Sequence, residues 1–165
     1  MGLVEKVVKT IEENKLLESG DTVLVALSGG PDSVALLHVL VKLRRRYKLQ
    51  LSAVYINHQI RPKAALKEDK FCHNLCADWK VGYRSITHNI PKLSKSLRMG
   101  IEETARDFRY EQFEIIAQEL DCNKIALGHH IDDRVETVLF RIFRGTGRTG
   151  LQGRSRRTSR SRESS

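Results

Sequence analysis

Between Thr22 and Leu127 short apolar runs alternate with longer amphipathic segments, and that alternation leaves few folds open. Thr22–Leu27, Gln50–Ile56, Val81–Thr87 and Lys124–Leu127 read as strands, because they are short, largely apolar and bounded by turn residues. Asp32–Tyr47, Ala64–Trp79 and Ile101–Leu120 have helical length and period, and a loop is expected around Pro91. Asp133–Arg144 reads as a last helix. Leu3–Leu17 reads as an amphipathic opening segment, with Leu3, Val7, Val8, Ile11 and Leu16 at near-helical spacing. Strand alternating with helix in a chain of 165 residues predicts one α/β domain, a doubly wound parallel sheet with helices on both faces.

In such a sheet the ligand crevice lies beyond the carboxyl ends of the strands. Three polar clusters directly follow predicted strands and are therefore expected along one rim: Ser28–Ser33, Asn57-His58 and Gly128–Asp133. In Ser28-Gly29-Gly30-Pro31-Asp32-Ser33, adjacent glycines let the backbone turn with positive φ and approach a ligand closely. The first N–H groups of the following helix have no internal partner and point at an anion. Ser28 and Ser33 hydroxyls suit phosphate oxygens, and Asp32 suits Mg²⁺ beside a polyphosphate. By itself the segment also reads as a helix N-cap after a glycine turn. It is not a Walker A loop, since no lysine follows the glycines, so a different phosphate chemistry is expected.

His129 and Asp133 are four residues apart, and Asp133, Glu136 and Thr137 share the next helical faces of the predicted last helix. That cluster suits metal, proton or amine handling, while Asp132 and Asp133 equally suit a helix N-terminus. Asn57-His58, with Arg61 close behind, offers hydrogen bonds to an adenine or a phosphate, or simply a turn. Arg106 and Arg109 are three apart and expected to face similarly; they suit phosphates, or ion pairing of Arg106 with Glu102 or Glu103. Gly145–Gly150 matches Gly-x-Gly-x-x-Gly but is expected to follow a helix, which argues against a dinucleotide site. Cys72 and Cys76 lie one turn apart beside His73; they read as buried small side chains with Phe71 and Leu75, no second pair completing a metal set.

The formal charge of +9 suits a polyanion such as RNA. Arg154–Ser165 supplies +4 of it from five Arg and one Glu, leaving +5 to the rest. That terminal stretch has no apolar residue and is expected to be disordered. No run approaches the roughly 18 apolar residues of a membrane span, and Met1–Lys15 lacks a secretory signal, so no membrane partner is expected. Three cysteines are not a disulfide framework, and the expected compartment is the cytoplasm.

Ser28–Ser33 resembles the PP-loop of the ATP pyrophosphatases, a fold of the adenine nucleotide alpha hydrolase type, whose members split ATP between its α- and β-phosphates. The remaining motifs narrow the resemblance. Asn57-His58 with Arg61, Glu102 to Tyr110, Gly128 through Thr137 with its His-His-x-Asp-Asp-x-x-Glu-Thr element, and Arg144-Gly145-Thr146-Gly147 through Leu151-Gln152-Gly153 stand in order. Over Thr22–Gly153 the chain is similar to the N-terminal catalytic domain of the tRNA(Ile)-lysidine synthase family. The resemblance implies use of ATP with Mg²⁺ to adenylate the wobble cytidine of an isoleucine tRNA bearing the CAU anticodon, after which free L-lysine displaces AMP. It implies that Ser28, Gly29, Gly30, Pro31, Asp32, Ser33, Asn57 and His58 hold the nucleotide, Asp32 also the Mg²⁺. It further implies that Arg106 or Arg109 and Glu136 serve the activation and lysine steps, with His129 and Asp133 near ATP or the amine. The expected organisation is a catalytic domain over 1–153, C-terminally truncated relative to the family, and a tail over 154–165. Without the family's next strand, Lys124–Leu127 is expected to be an uncovered sheet edge. Sulfur transfer or amide formation on the same loop, or ATP binding without complete chemistry, are the alternatives; the lack of a Cys-x-x-Cys pair counts against sulfur transfer.

Overall fold

The computed structural model describes residues 2–130 and 138–144. Helix α1 (Leu3–Glu13) precedes the first strand, β1 (Thr22–Ala26). Then come α2 (Pro31–Leu43), β2 (Gln50–Asn57), α3 (Pro62–Asp78) and β3 (Gly82–Thr87). Two consecutive helices, α4 (Ile90–Leu97) and α5 (Ile101–Glu119), lead to β4 (Lys124–His130) and β5 (Val138–Arg144). The strands form one sheet in the order β3-β2-β1-β4-β5. The first four strands run parallel, with Val23 level with Leu51 on one side and with Lys124 on the other.

Side-chain alternation along the central strand divides the core. Val23, Val25 and Leu27 pack with Leu36, Leu37 and Leu40 of α2, Val7 and Ile11 of α1, and Cys72 and Cys76 of α3. Leu24 points the other way, with Val54 and Leu127, onto Phe113, Ile116 and Ala117 of α5. Period-two alternation thus supplies each face of β1 with its own apolar set, which is what a parallel sheet covered on both sides requires. The doubly wound α/β architecture follows from this arrangement.

Four expectations are corrected. The loop around Pro91 is α4: Pro91 occupies a first-turn position, where its missing N–H costs nothing, and Asn89 Oδ1 accepts from Lys92 N at 2.9 Å as the cap. The expected helix Asp133–Arg144 is, over Val138–Arg144, the strand β5. A short run such as Val-Leu-Phe-Arg-Ile-Phe-Arg is ambiguous in period, and the unpaired edge of β4 offers it a ladder of backbone partners. β5 runs antiparallel, pairing Lys124 with Arg144 and His130 with Val138, so the β4 edge is covered. Phe71, expected in the core, is 48% exposed, while Cys72 and Cys76 are buried and Leu75 packs partly against them.

At the amino end of β1 and β4 lies a polar clasp. Lys124 and Asp21, each with a side chain 4% exposed, form an ion pair, and Lys124 Nζ also donates to the Leu16 carbonyl at 2.8 Å. Asn123 Nδ2 donates to Asp21 Oδ1 at 2.8 Å, and Thr22 N donates to Asn123 Oδ1 at 2.9 Å. Burial alone would push the Asp21 carboxyl up. The bonds it accepts from Lys124, from the Glu18 N–H and from Asn123 outweigh burial and hold it below its ordinary value.

Candidate functional site

The turn between β1 and α2 is braced from within. Ser28 N donates to Ser33 Oγ at 3.1 Å, and the Ser33 hydroxyl donates to the Gly30 carbonyl at 3.0 Å. Ser33 is buried, so its hydroxyl shapes the turn, whereas Ser28, whose Oγ lies 3.0 Å from that of Ser33, is exposed at the turn's mouth. Gly29 has φ +80°, a conformation that disfavours any side chain. Gly30 caps α2 without a side-chain bond, Pro31 stands in its first turn, and Asp32 follows as the acidic residue of that turn. The positive end of α2 is therefore open toward an anion.

A crevice of about 670 Å³ lies against this turn, within the range of small-molecule sites. It is lined by Ser28 and Gly30 of the turn after β1, by Asn57 at the end of β2 and His58 just after it, by Arg109 of α5 and by Gly128 of β4. The chain steps from β1 outward through β2 to β3 and only later returns to β1's other side with β4, so the connection order reverses between β1 and β4. Carboxyl ends of strands at such a reversal are where open α/β sheets bind ligands. Gly128 packs tightly on the turn: a Cβ there would lie 3.2 Å from the Asp32 carbonyl oxygen and 3.3 Å from Ser33 Cα.

Asn57 is buried, and its Oδ1 accepts from Gln59 N at 2.9 Å, turning the chain as β2 ends. His58 is half-buried, its Nδ1 shut off from solvent with no protein partner. Burial, and then the positive charge of Arg109, push its imidazole below the ordinary histidine range, so the ring is neutral at pH 7. Phe108 meets the His58 ring edge-on at 6.5 Å and stacks on His88 at 4.7 Å. Arg61, which caps α3, also lines the crevice.

Arg106 and Arg109 lie about 60° apart on α5, near enough to face similarly, yet only one of them lines the crevice. Arg109 reaches the crevice, with its guanidinium 5.8 Å from the Tyr110 ring centroid, while Arg106 is exposed and outside the lining. Among the described residues Arg106 forms no ion pair with Glu102 or Glu103. His129 belongs to β4, level with Leu139 of β5, and its side chain lies outside the described residues. Asp132, Asp133, Glu136, Thr137, Gly145–Gly150 and Arg154–Ser165 also lie outside them. Gly145 nevertheless follows a strand, not a helix. That strand is antiparallel and ends level with Lys124, at the amino edge of the sheet away from the crevice, so the parallel βαβ context of a dinucleotide fingerprint is still lacking.

Two lining groups escaped sequence reasoning. Glu68 of α3 lines the crevice and accepts from the Tyr55 hydroxyl at 3.0 Å. Burial and that carboxylate raise the Tyr55 phenol well above its ordinary range. No local signal marks this pair, which forms only when α3 folds over β2. Cys72 lies beneath the turn, its Sγ 3.5 Å from where a Cβ on Gly29 would stand, and burial pushes the Cys72 and Cys76 thiols up to about 12 and about 11. They are inert core groups, and no metal-capable cluster of His, Cys, Asp and Glu occurs among the described residues.

A parallel sheet that brings a glycine turn, an open helix N-terminus and an arginine to one carboxyl-edge crevice defines an α/β phosphate-binding domain. Residues 3–164 match the PP-loop domain family, and the chain belongs to that ATP-binding family. It is 42% identical over 151 residues to the tRNA(Ile)-lysidine synthase of Clostridioides difficile (strain 630), covering 92% of this chain and 33% of the relative. It is 38% identical to the tRNA(Ile)-lysidine synthase of Clostridium tetani (strain Massachusetts / E88), covering 92% of this chain and 32% of the relative. The chain thus spans about a third of the length of these curated relatives. In fold it resembles the U34-tRNA thiolase NcsA from Methanococcus maripaludis, with a TM-score of 0.67 at 22% identity over 79% of this chain and 46% of that one. Among the described residues no helix is long and apolar enough to cross a membrane.

Proposed function

We propose that this chain is the ATP-using domain of a tRNA(Ile)-lysidine synthase, which activates the wobble cytidine of an isoleucine tRNA with the CAU anticodon and joins it to free L-lysine. The observation that carries the reading is the convergence of the Ser28–Ser33 turn, His58, Arg109 and Gly128 on one crevice, in a chain 42% identical to an enzyme of that name. In this reading the cytosine C2 oxygen attacks the α-phosphorus of ATP and the bond to pyrophosphate breaks. The lysine amine then attacks C2, loses a proton, and AMP leaves.

The residues suit those demands. The backbone of Gly29 and Gly30, the Ser28 hydroxyl and the start of α2 hold the phosphates. Arg109 and Arg61 place positive charge where pyrophosphate charge develops. Asp32, a single carboxylate beside a phosphate cradle, suits Mg²⁺, which takes one or two protein carboxylates and completes its shell with phosphate oxygens and water. The ion would neutralise polyphosphate charge there. His58, neutral and with an unpartnered Nδ1, offers a hydrogen-bond acceptor to an amino group in the crevice. Asp133, Glu136 and His129 remain part of the proposal through the family motif, and Arg106 through its place in the Glu102–Tyr110 segment. We assign residues 1–153 to this domain and 154–165 to a separate Arg/Ser-rich stretch that lies outside the described residues.

Incorporation of radiolabelled lysine into isoleucine tRNA transcripts tests the reading. ATP-dependent labelling of the CAU transcript, with matching pyrophosphate release and none for a transcript with another anticodon, is expected. Sulfur incorporation, or ATP turnover indifferent to lysine and tRNA, would overturn it.

A further inference from the structure

Helix α3 sorts its charges by face. Ala65, Cys72 and Cys76 form its buried stripe. Glu68 and Asp69 flank that stripe, half-buried and held by the sheet: Tyr55 donates to Glu68, Tyr83 donates to Asp69 Oδ1, and Ser85 Oγ donates to Asp69 Oδ2 at 2.9 Å. The opposite face carries Lys63, Lys67 and Lys70, all exposed, and the ion pairs among the described residues leave all three unpaired. Leu66 and Phe71 border this face and are 67% and 48% exposed. Asp78 is the acid on the same face, at its far end.

The carboxylates of Glu68 and Asp69 are turned toward the sheet and away from the lysines, so the outer face of α3 is a cationic stripe with an aliphatic and an aromatic side chain at its borders. Successive lysines stand about one turn apart, roughly 5.4 Å along the axis. The stripe begins at the crevice, since Ala64 and Glu68 of the same helix, and Arg61 at its cap, line it. Cations spaced along a line with an exposed aromatic ring at its border match the phosphates and bases of a nucleic-acid strand better than an apolar protein partner.

We propose that the outer face of α3 is an RNA-docking surface. Lys63, Lys67 and Lys70 pair with backbone phosphates, Leu66 and Phe71 lie against sugar or base, and the strand is led past Arg61 into the crevice. This deepens the proposed function and rests on RNA being the substrate.

The test compares the full chain with its Lys63→Gln/Lys67→Gln/Lys70→Gln variant, binding an unmodified isoleucine tRNA transcript across a salt series. The variant is expected to bind about tenfold more weakly at low salt, and its plot of log affinity against log salt to flatten by about 2 to 3, because each lost phosphate contact releases fewer counterions. Phe71→Ser is expected to weaken binding with no change of slope. Unchanged ATP affinity verifies that the variants fold. Equal RNA affinity and slope in the triple variant would overturn the surface, as would a wild-type chain that binds the transcript without salt dependence. A change of oligomeric state by light scattering at unaltered RNA affinity would make the face a protein interface and overturn it too. If the wild type fails to incorporate lysine while the variant still loses RNA affinity, the surface stands and the lysidine reading falls.

Discussion

Gly128 of β4 stands against the first turn of α2, where a Cβ would come within 3.2 Å of the Asp32 carbonyl oxygen. The contact sets how closely the phosphate-facing end of α2 approaches the sheet, so a residue in β4 tunes a turn nearly a hundred positions earlier. Gly128→Val is expected to force that turn outward at about 1–3 kcal/mol, the usual range for overpacking, and to weaken ATP binding about tenfold. Gly128→Ala is expected to do so by less, because a shift of a few tenths of an ångström relieves it. Calorimetric titration with ATP checks both; equal affinity in the valine variant would show that the turn does not depend on this approach.

Asp32→Ala is expected to lower pyrophosphate release about a hundredfold, since one carboxylate beside the phosphates would be lost from the ion's shell. ATP binding without Mg²⁺ should change little. Release rates measured over a range of Mg²⁺ concentrations separate the two effects, and unaltered release at every concentration counts against the role of Asp32.

Lys124→Met leaves the Asp21 carboxylate buried without its partner, an expected loss of about 3–5 kcal/mol in urea unfolding. Asp21→Asn combined with Lys124→Met should recover most of it. The pH dependence has a definite sign. The folded Asp21 lies below its ordinary 3.8, so its contribution is complete above that value and is lost as pH falls through the folded one. The urea midpoint of the wild type should drop more steeply below pH 4 than that of the double variant.

His58 is expected to titrate below the ordinary 6.5 in histidine NMR spectra, because burial first and Arg109 second disfavour the imidazolium. Arg109→Gln should move the midpoint only part of the way back. The folded state favours the neutral ring, so this stability is present above 6.5 and disappears as pH falls through the folded value. A midpoint above 6.5 in the wild type would contradict the burial argument.

Much of the fold was legible because a buried parallel strand and a half-buried helix carry their periods in a few neighbouring residues, as Thr22–Leu27 and Asp32–Tyr47 do. The shared rim of Ser28–Ser33, Asn57-His58 and Gly128 was legible too, since a parallel sheet sends the end of every strand to the same edge. α4 was hidden because Pro91 interrupts a helix anywhere except its first turn. β5 was hidden because seven largely apolar residues fit either period, and the choice is made by the edge they meet.

Sequence alone determined the strands β1 to β4, the helices α1, α2, α3 and α5, and the glycine turn, properties held by residues within a turn or two of one another. Tertiary structure alone decided that Arg109 rather than Arg106 enters the crevice, that Glu68 and Asp69 face the tyrosines while the lysines of α3 face solvent, and that Lys124 finds Asp21. Each depends on which distant surface a helix or strand is packed against, and the bond from Lys124 to Leu16 spans 108 positions. No local pattern carries such a pairing, because its energy appears only once the sheet has brought both partners together and excluded water.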